Sequence, residues 1–263
     1  PMGPGWSLGG LSAISRCKKA TEYGDGAGPF PSVNFDGVAA DQAYCLDGAR
    51  LLDLNSGAGN CPAGQSGDTA HVFGLELDPA TRVCGYAKSG ITGYAYWLVQ
   101  PKDGSYRVYG TGGNSALVHN DGQGNPDATQ YFAWGLNRIA DTTGNTVEFS
   151  YTQNTATGEM DIAEIDYTGK IAVSNVLAAN PSFTRTPYAK VVFSYATLPA
   201  ASQRIDYLSG MELALTQQLT TITVSGPSNI NGDTTTIQVA RTYHLHYGTP
   251  TSSGLSALTS LQE

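Results

Sequence analysis

An all-β, antiparallel fold is predicted for this chain by three features of its sequence. Charged residues make up only 14% of it and apolar residues 40%. That is too apolar for a disordered chain and too poor in Lys and Glu for a helical one. The remaining polarity comes from glycine (32 residues), Thr, Ser and Asn, alongside 15 tyrosines. Glycine breaks helices, whereas Thr and Tyr suit a pleated, half-buried surface. The third feature is alternation. Val147, Phe149 and Tyr151 alternate with Glu148, Ser150 and Thr152, and Val191, Phe193 and Tyr195 with Val192 and Ser194. Tyr243, Leu245 and Tyr247 are likewise separated by His244 and His246. Successive side chains of a strand face opposite ways, so each segment has one packed face and one more polar face.

At 263 residues the chain can form one large domain or two moderate ones. It divides near Tyr94 into a loop-rich, cysteine-containing segment (1–93) and a regular antiparallel region (94–263). In the first, Gly, Pro and Asn interrupt almost every apolar run, as in Gly24-Asp25-Gly26-Ala27-Gly28-Pro29 and Asn55-Ser56-Gly57-Ala58-Gly59-Asn60. Short strands and long loops are expected there.

The second region carries a loose repeat. An apolar pair comes first: Leu136 with Ile139, Ile162 with Ile165, Leu219 with Ile222, and Leu258 with Leu261. An aromatic strand ending follows each of the first three, at Phe149-Ser150-Tyr151, Phe193-Ser194-Tyr195 and Tyr243-His244-Leu245-His246-Tyr247. Turns separate them, including Asp141-Thr142-Thr143-Gly144-Asn145 and Asn229-Ile230-Asn231-Gly232-Asp233. Gly144 and Gly232 suit the positive φ such turns demand. No strand–turn–strand unit buries its apolar face alone, so the units are expected to stack into one continuous sheet. Ser209 to Leu219 fits two helical turns or a strand equally well.

The formal net charge is −8, and the only basic cluster is Arg16, Lys18 and Lys19. A phosphate backbone requires a concentrated basic stripe, which argues against nucleic acid as a partner. The acidic balance argues against anionic membranes, and no apolar run of about 18 residues is long enough to span a bilayer. Pro1-Met2 carries no secretory signal pattern and reads as a cut, with the native start expected upstream.

Four cysteines, Cys17, Cys45, Cys61 and Cys84, form no C-x-x-C pair and have no histidine at zinc spacing. Their even number suggests two disulfides with three possible pairings. Neighbour pairing, Cys17 with Cys45 and Cys61 with Cys84, closes short loops in the most loop-rich region and is the one expected. Four buried free thiols are the alternative.

Five motifs resemble a known family. Gly3-Pro4-Gly5-Trp6-Ser7-Leu8-Gly9-Gly10-Leu11-Ser12-Ala13-Ile14-Ser15-Arg16 is similar to the G-x-G-W-x-L-x-G-L-x-x-I-x-R opening of the SpvB N-terminal family, an opening shared by insecticidal toxin-complex B subunits and Rhs/YD-repeat proteins. Tyr44-Cys45-Leu46-Asp47-Gly48-Ala49-Arg50-Leu51 resembles its F-C-L-D-G-x-R-L. The hairpin from Trp97 through Lys102-Asp103-Gly104 to Tyr109-Gly110 resembles W-x-V-x-x-K-D-G-x-x-x-x-Y-G. Trp134-Gly135-Leu136-Asn137-Arg138-Ile139-Ala140-Asp141-Thr142-Thr143-Gly144-Asn145 resembles W-x-L-x-R-I-x-D-x-x-G-N, and Ile165-Asp166-Tyr167-Thr168-Gly169 continues it. The Cys-bearing loop from Gly57 to Thr69 departs from the family's pattern.

These motifs are structural by their chemistry. Asp47-Gly48, Asp103-Gly104 and the Asp141-to-Asn145 turn are hairpin corners, and Trp6, Trp97 and Trp134 are expected to anchor the sheet through large buried areas. The resemblance implies a non-catalytic segment without cofactor, part of a hollow β-shell that encloses a toxic C-terminal polypeptide. The partners it implies are the remaining YD-repeat shell and the C-terminal toxin of the same polypeptide, with secretion or translocation components. It further implies a bacterial protein that is secreted or at the cell surface and translocated into a target cell. Sheet edges left exposed in this piece are expected to be able to self-associate.

Other chemistry has weaker support. Gly5-Trp6-Ser7-Leu8-Gly9 spells the hydrolase G-x-S-x-G, but no apolar strand precedes it and Gly9-Gly10 weakens a following helix. Gly110-Thr111-Gly112-Gly113 lacks the Lys of a phosphate loop. His244 and His246 have metal-ligand spacing without an evident third ligand. Asp121-Gly122-Gln123-Gly124-Asn125-Pro126-Asp127 begins like a calcium loop but lacks the distal Glu. The tyrosine-rich strands keep a second reading open, a surface adhesin or carbohydrate-binding module.

Overall fold

The computed structural model describes residues 2, 6–19, 33–35, 42–54, 59, 61–65, 67–228, 236–248 and 254–263. Gly5, the 24–29 glycine run, most of 55–60 and the Gly232 turn lie outside the described residues. The elements are β1 (Ala13–Cys17), β2 (Ala43–Leu46), β3 (Ala49–Asp53), β4 (Thr69–Leu75), β5 (Arg82–Ala87), β6 (Tyr96–Gln100), β7 (Tyr106–Tyr109), β8 (Ala116–Asn120) and β9 (Pro126–Ala140). They continue with β10 (Asn145–Asn154), β11 (Glu159–Ile171), β12 (Phe183–Arg185), β13 (Ala189–Thr197), β14 (Arg204–Leu208), β15 (Met211–Leu215), β16 (Gln217–Pro227), β17 (Ile237–Gly248) and β18 (Ala257–Gln262). The fold is all-β, and each of these strand pairings is antiparallel.

Of Ser209 to Leu219, Ser209-Gly210 is the turn after β14 and the rest is extended, divided between β15 and β16. The β14–β15 hairpin forms its own two-stranded sheet, and Met211 packs with Leu117 and Ala133. The other strands form one sheet. It crosses residue 94 without a break, since Tyr86 of β5 pairs with Tyr96 of β6.

Strands β1 to β7 and β9 close into an eight-stranded barrel, because β1 pairs with β2 on one side and with β9 on the other. Each barrel strand sends at least one residue into a common core, among them Ile14, Tyr44, Leu51, Phe73, Val83, Trp97, Tyr109 and Trp134. The outer faces of β5, β6 and β7 are buried as well, under Val176 and Leu177 and beside Cys61. Strands covered on both faces read as continuous apolar runs, which explains Tyr96-Trp97-Leu98-Val99. The disulfides are Cys17–Cys45 and Cys61–Cys84, both within this part of the chain.

Strand β9 is where the sheet branches. Its Gly135 N–H donates to Ser115 O while Leu136 N–H donates to Ser12 O, so β8 and β1 lie on opposite edges. On the β1 edge, Ala133 to Gly135 close the barrel; a few residues on, Arg138 to Ala140 pair with β10 and begin an open ladder. The ladder runs β10-β11-β13-β16-β17-β18.

Candidate functional site: the branch strand and its repeat ladder

The ladder is built from one unit used repeatedly. Tyr151 of β10 lies opposite Ile162, Tyr195 of β13 opposite Leu219, and Tyr247 of β17 opposite Leu258. At each place the register skips one residue on the following strand: Ala163, Thr220 and Thr259. Such a bulge bends the strand and increases its twist. Thr220 and Thr259 use the extra position, each donating its hydroxyl to the carbonyl before the tyrosine, Ser194 O and His246 O at 3.0 Å. The barrel contains the same device, with Tyr109 opposite Leu136 and Asn137 skipped.

Each tyrosine also reaches back to the preceding strand. Tyr151 donates to Leu136 O at 2.8 Å, Tyr195 to Ile162 O at 2.8 Å, and Tyr247 to Leu219 O at 2.5 Å. The acceptors are the first members of the apolar pairs found in the sequence. Burial pushes all three phenols above the usual tyrosine range. The apolar or aromatic residue four before each tyrosine then sits opposite the second member of the pair: Val147 against Ile139, Val191 against Ile165, Tyr243 against Ile222. Space for the first latch depends on Gly135, where a Cβ would lie 2.9 Å from the Tyr151 ring.

The turns are self-satisfied. Asp141 Oδ1 accepts the N–H groups of Thr143 and Asn145, and Oδ2 accepts the Asn145 side chain at 2.7 Å. Gly144, at φ +88°, lies so close to Ile171 O that a Cβ would stand 2.1 Å from it. The loop read as a calcium-site start is a second copy of this turn. Asp121 Oδ1 accepts from Gln123 and Asn125, Oδ2 accepts the Asn125 side chain, and Gly124 has φ +90°. The carboxylate oxygens there are occupied by the chain's own N–H groups, as a turn requires. These bonds hold the Asp121 and Asp141 carboxyls below the usual range. Asp47 and Gly48, at φ +49° and +85°, form the two-residue turn between β2 and β3, and Asp47 accepts from Ala13 N and Ser12 Oγ. Asp103 accepts from Ser105 N, with Gly104 at φ +79°.

Among the tryptophans, Trp97 and Trp134 are fully buried, and Trp134 donates to Ala95 O at 3.1 Å. Trp6 is 58% exposed, so it does not anchor the sheet as expected; it lies in a strand-free segment. It joins Leu8, Tyr151, Asp161 and Tyr195 around a cleft of about 460 Å³. Burial, with Glu159 nearby, raises the Asp161 carboxyl to about 6. Gly10 (φ +87°) is exposed in the same stretch.

Two buried arginines were not distinguished from scaffold by sequence patterning. Arg16 donates to Tyr131 O and Thr92 O and lies 5.3 Å and 5.8 Å from the Phe35 and Tyr44 ring centres. Burial lowers its pKa. Arg138, 1% exposed, pairs with Glu148 at 2.7 Å and donates to Val176 O and Ala178 O, pinning the segment that covers β5 to β7. Its position beside Asn137, between Leu136 and Ile139 in the buried half of β9, was the available signal.

No catalytic grouping emerges from these residues. Ser7 is exposed, and His71 is bound to Asp53 at 2.7 Å. His244 and His246 lie on the exposed side of β17, and among the described residues no three His, Cys, Asp or Glu side chains are grouped to hold a metal ion. Among the described residues no helix is long and apolar enough to cross a membrane.

Residues 78–204 match the family SpvB, Salmonella virulence plasmid 65kDa B protein. The fold resembles the N-terminal domain of effector protein SpvB from Salmonella typhimurium strain LT2, at TM-score 0.70 and 13% identity, covering 100% of this chain and 88% of that one. It also resembles TcdB2-TccC3, at TM-score 0.70 and 14% identity over 99% of this chain, and the Photorhabdus luminescens Tc holotoxin pore, at the same score and identity. The chain spans only 14% and 13% of those two. No curated protein matches.

Proposed function

Taking as premise that this chain carries an SpvB-family segment, we propose that it is a non-catalytic wall segment of a bacterial toxin-type protein, which helps build a hollow β-shell around a C-terminal toxin. One observation carries the reading: a closed barrel continues, through β9, into a sheet made of one self-propagating unit. A unit that presents to its successor the same acceptor it received suits wall building better than catalysis. The sequence regions 1–93 and 94–263 are then two stretches of one wall. The motif residues Trp97, Trp134, Asp47, Asp103, Asp141, Gly144 and Asn145 serve it as core and corners. Two disulfides support a secreted or cell-surface location. Its partners in this reading are the remaining shell and the toxin of the same polypeptide.

The test is limited proteolysis of the full polypeptide. The C-terminal segment should resist protease in the native protein and be cut rapidly once denaturant opens the shell. Cleavage at the rate of the isolated segment would refute enclosure. A carbohydrate-binding module is the second reading, favoured by exposed Trp6 beside the cleft. Glycan-array binding abolished by Trp6→Ala would support it.

A further inference from the structure

We propose that the outer edge of β18 is a strand-docking site, and that its ligand is an antiparallel strand of the form apolar-x-apolar-x-Tyr. The unit seen in the ladder has two halves. An acceptor half offers an apolar pair three residues apart, with a bulge between them. A donor half lays a first apolar residue against the second member of the pair and sends its tyrosine hydroxyl to the carbonyl of the first. Three complete copies are present: Leu136/Ile139 with β10, Ile162/Ile165 with β13, and Leu219/Ile222 with β17.

Leu258 and Leu261 form a fourth acceptor half. Their strand has the bulge at Thr259, and Leu258 already faces Tyr247, as Ile162 faces Tyr151 and Leu219 faces Tyr195. No donor half meets it among the described residues: β18 ends the sheet, and Leu261 is 59% exposed. By the same register Leu258 O awaits a tyrosine hydroxyl, and Leu261 an apolar side chain. The site is continuous with three interfaces of identical construction, and this selects its occupant. A strand with tyrosine one place out of register would present its side chains to the wrong face.

This deepens the wall-segment reading and rests on it only for the source of the strand. The experiment uses the chain with a fluorescein-labelled peptide of the β13 sequence, Ala189–Thr197, followed by fluorescence anisotropy. Saturable binding is expected. It should weaken about fivefold when the peptide tyrosine is replaced by phenylalanine, the value of one net hydrogen bond. It should be lost when the tyrosine is moved by one position. Leu261→Lys, at an exposed site where folding can be checked by circular dichroism, should also abolish it. Absence of binding, equal binding by the three peptides, binding indifferent to Leu261→Lys, or pairing of β18 with a second copy in preference to the peptide would each overturn the proposal. Such a failure would leave enclosure standing, since the proteolysis experiment reads the toxin segment and not this edge.

Discussion

The barrel and the ladder share β9, yet they deal with strand edges in opposite ways. The barrel pairs β1 with β9 and so leaves no edge in its ring. Its core is aromatic: Tyr44, Phe73, Tyr94, Trp97 and Trp134 have ring centres 4.6 to 6.3 Å apart, with Trp97 meeting Trp134 edge-on at 5.6 Å. The ladder has an apolar face that includes Phe149, Ile162, Phe193, Leu219 and Leu245, held strand to strand by tyrosine latches. A closed ring can be stable but cannot be lengthened, whereas a latched ladder accepts another strand at its end. The molecule thus combines a closed barrel with an open-ended ladder.

Disrupting the barrel is the strongest way to break this comparison. Trp134→Ala empties a fully buried site in the strand common to both parts and removes the bond to Ala95 O. A loss of about 3–5 kcal/mol is expected. Because β9 also starts the ladder, barrel and ladder should melt together in urea, followed by tryptophan fluorescence and far-UV circular dichroism. A ladder signal that survives barrel unfolding would show two independent bodies.

Reduction of the disulfides separates the two parts. Each bridge closes a loop with sequence separation of 28 or 23 residues. The chain-entropy relation gives about 3.5 kcal/mol for each. Hydrogen exchange in reductant should quicken in β1 to β5 and leave β13 to β17 near their original rates. Uniform acceleration would mean that the ladder depends on the bridges too.

The latch itself is worth less. Tyr195→Phe keeps the ring and removes one bond to Ile162 O, so about 1 kcal/mol should be lost. The faster exchange should be confined to β11, β13 and β16. No change at those strands would mean that the ring alone, without its hydroxyl, holds the ladder.

Much of this was legible beforehand because it rests on local pattern. Alternation marks Val147 to Tyr151 as strand, and apolar pairs recur before each aromatic ending. The Asp–Gly corners are set by φ values that only a few residues adopt readily. Closure was not legible: Ala13 to Ser15 meet Ala133 to Gly135 more than a hundred residues away, and nothing local encodes that pairing. Nor were the bulges, since skipping Ala163, Thr220 or Thr259 leaves no mark on composition. The Asp121 loop kept a weak likeness to a calcium site because alternating oxygens suit a cation as well as backbone N–H groups. The twin sequence Asp-x-x-Gly-Asn at 121 and 141 would have told them apart.

The smallest predicted effect is a pH dependence that belongs to the ladder and its corners. Asp141 is held below the usual carboxyl range by the side chains of Asn145 and Thr143, and Asp121 by Asn125. A depressed folded pKa gives stability that is present above the unfolded value of about 4 and lost as pH falls toward the folded one. Asp161 and Asp166 act the other way. Burial, with Glu159 beside the first and Glu164 beside the second, raises each to about 6. Their contribution is present below about pH 4 and is lost as pH rises through 6. Ladder stability should therefore peak at about pH 4 and decline as pH rises toward about 6. Melting temperatures from pH 3 to 8 should show the acid limb flattened by Asp141→Ala and the neutral limb flattened by Asp161→Asn with Asp166→Asn. If the two variants keep the parent's profile on their respective limbs, the corners and the buried carboxyls are not what tunes the ladder.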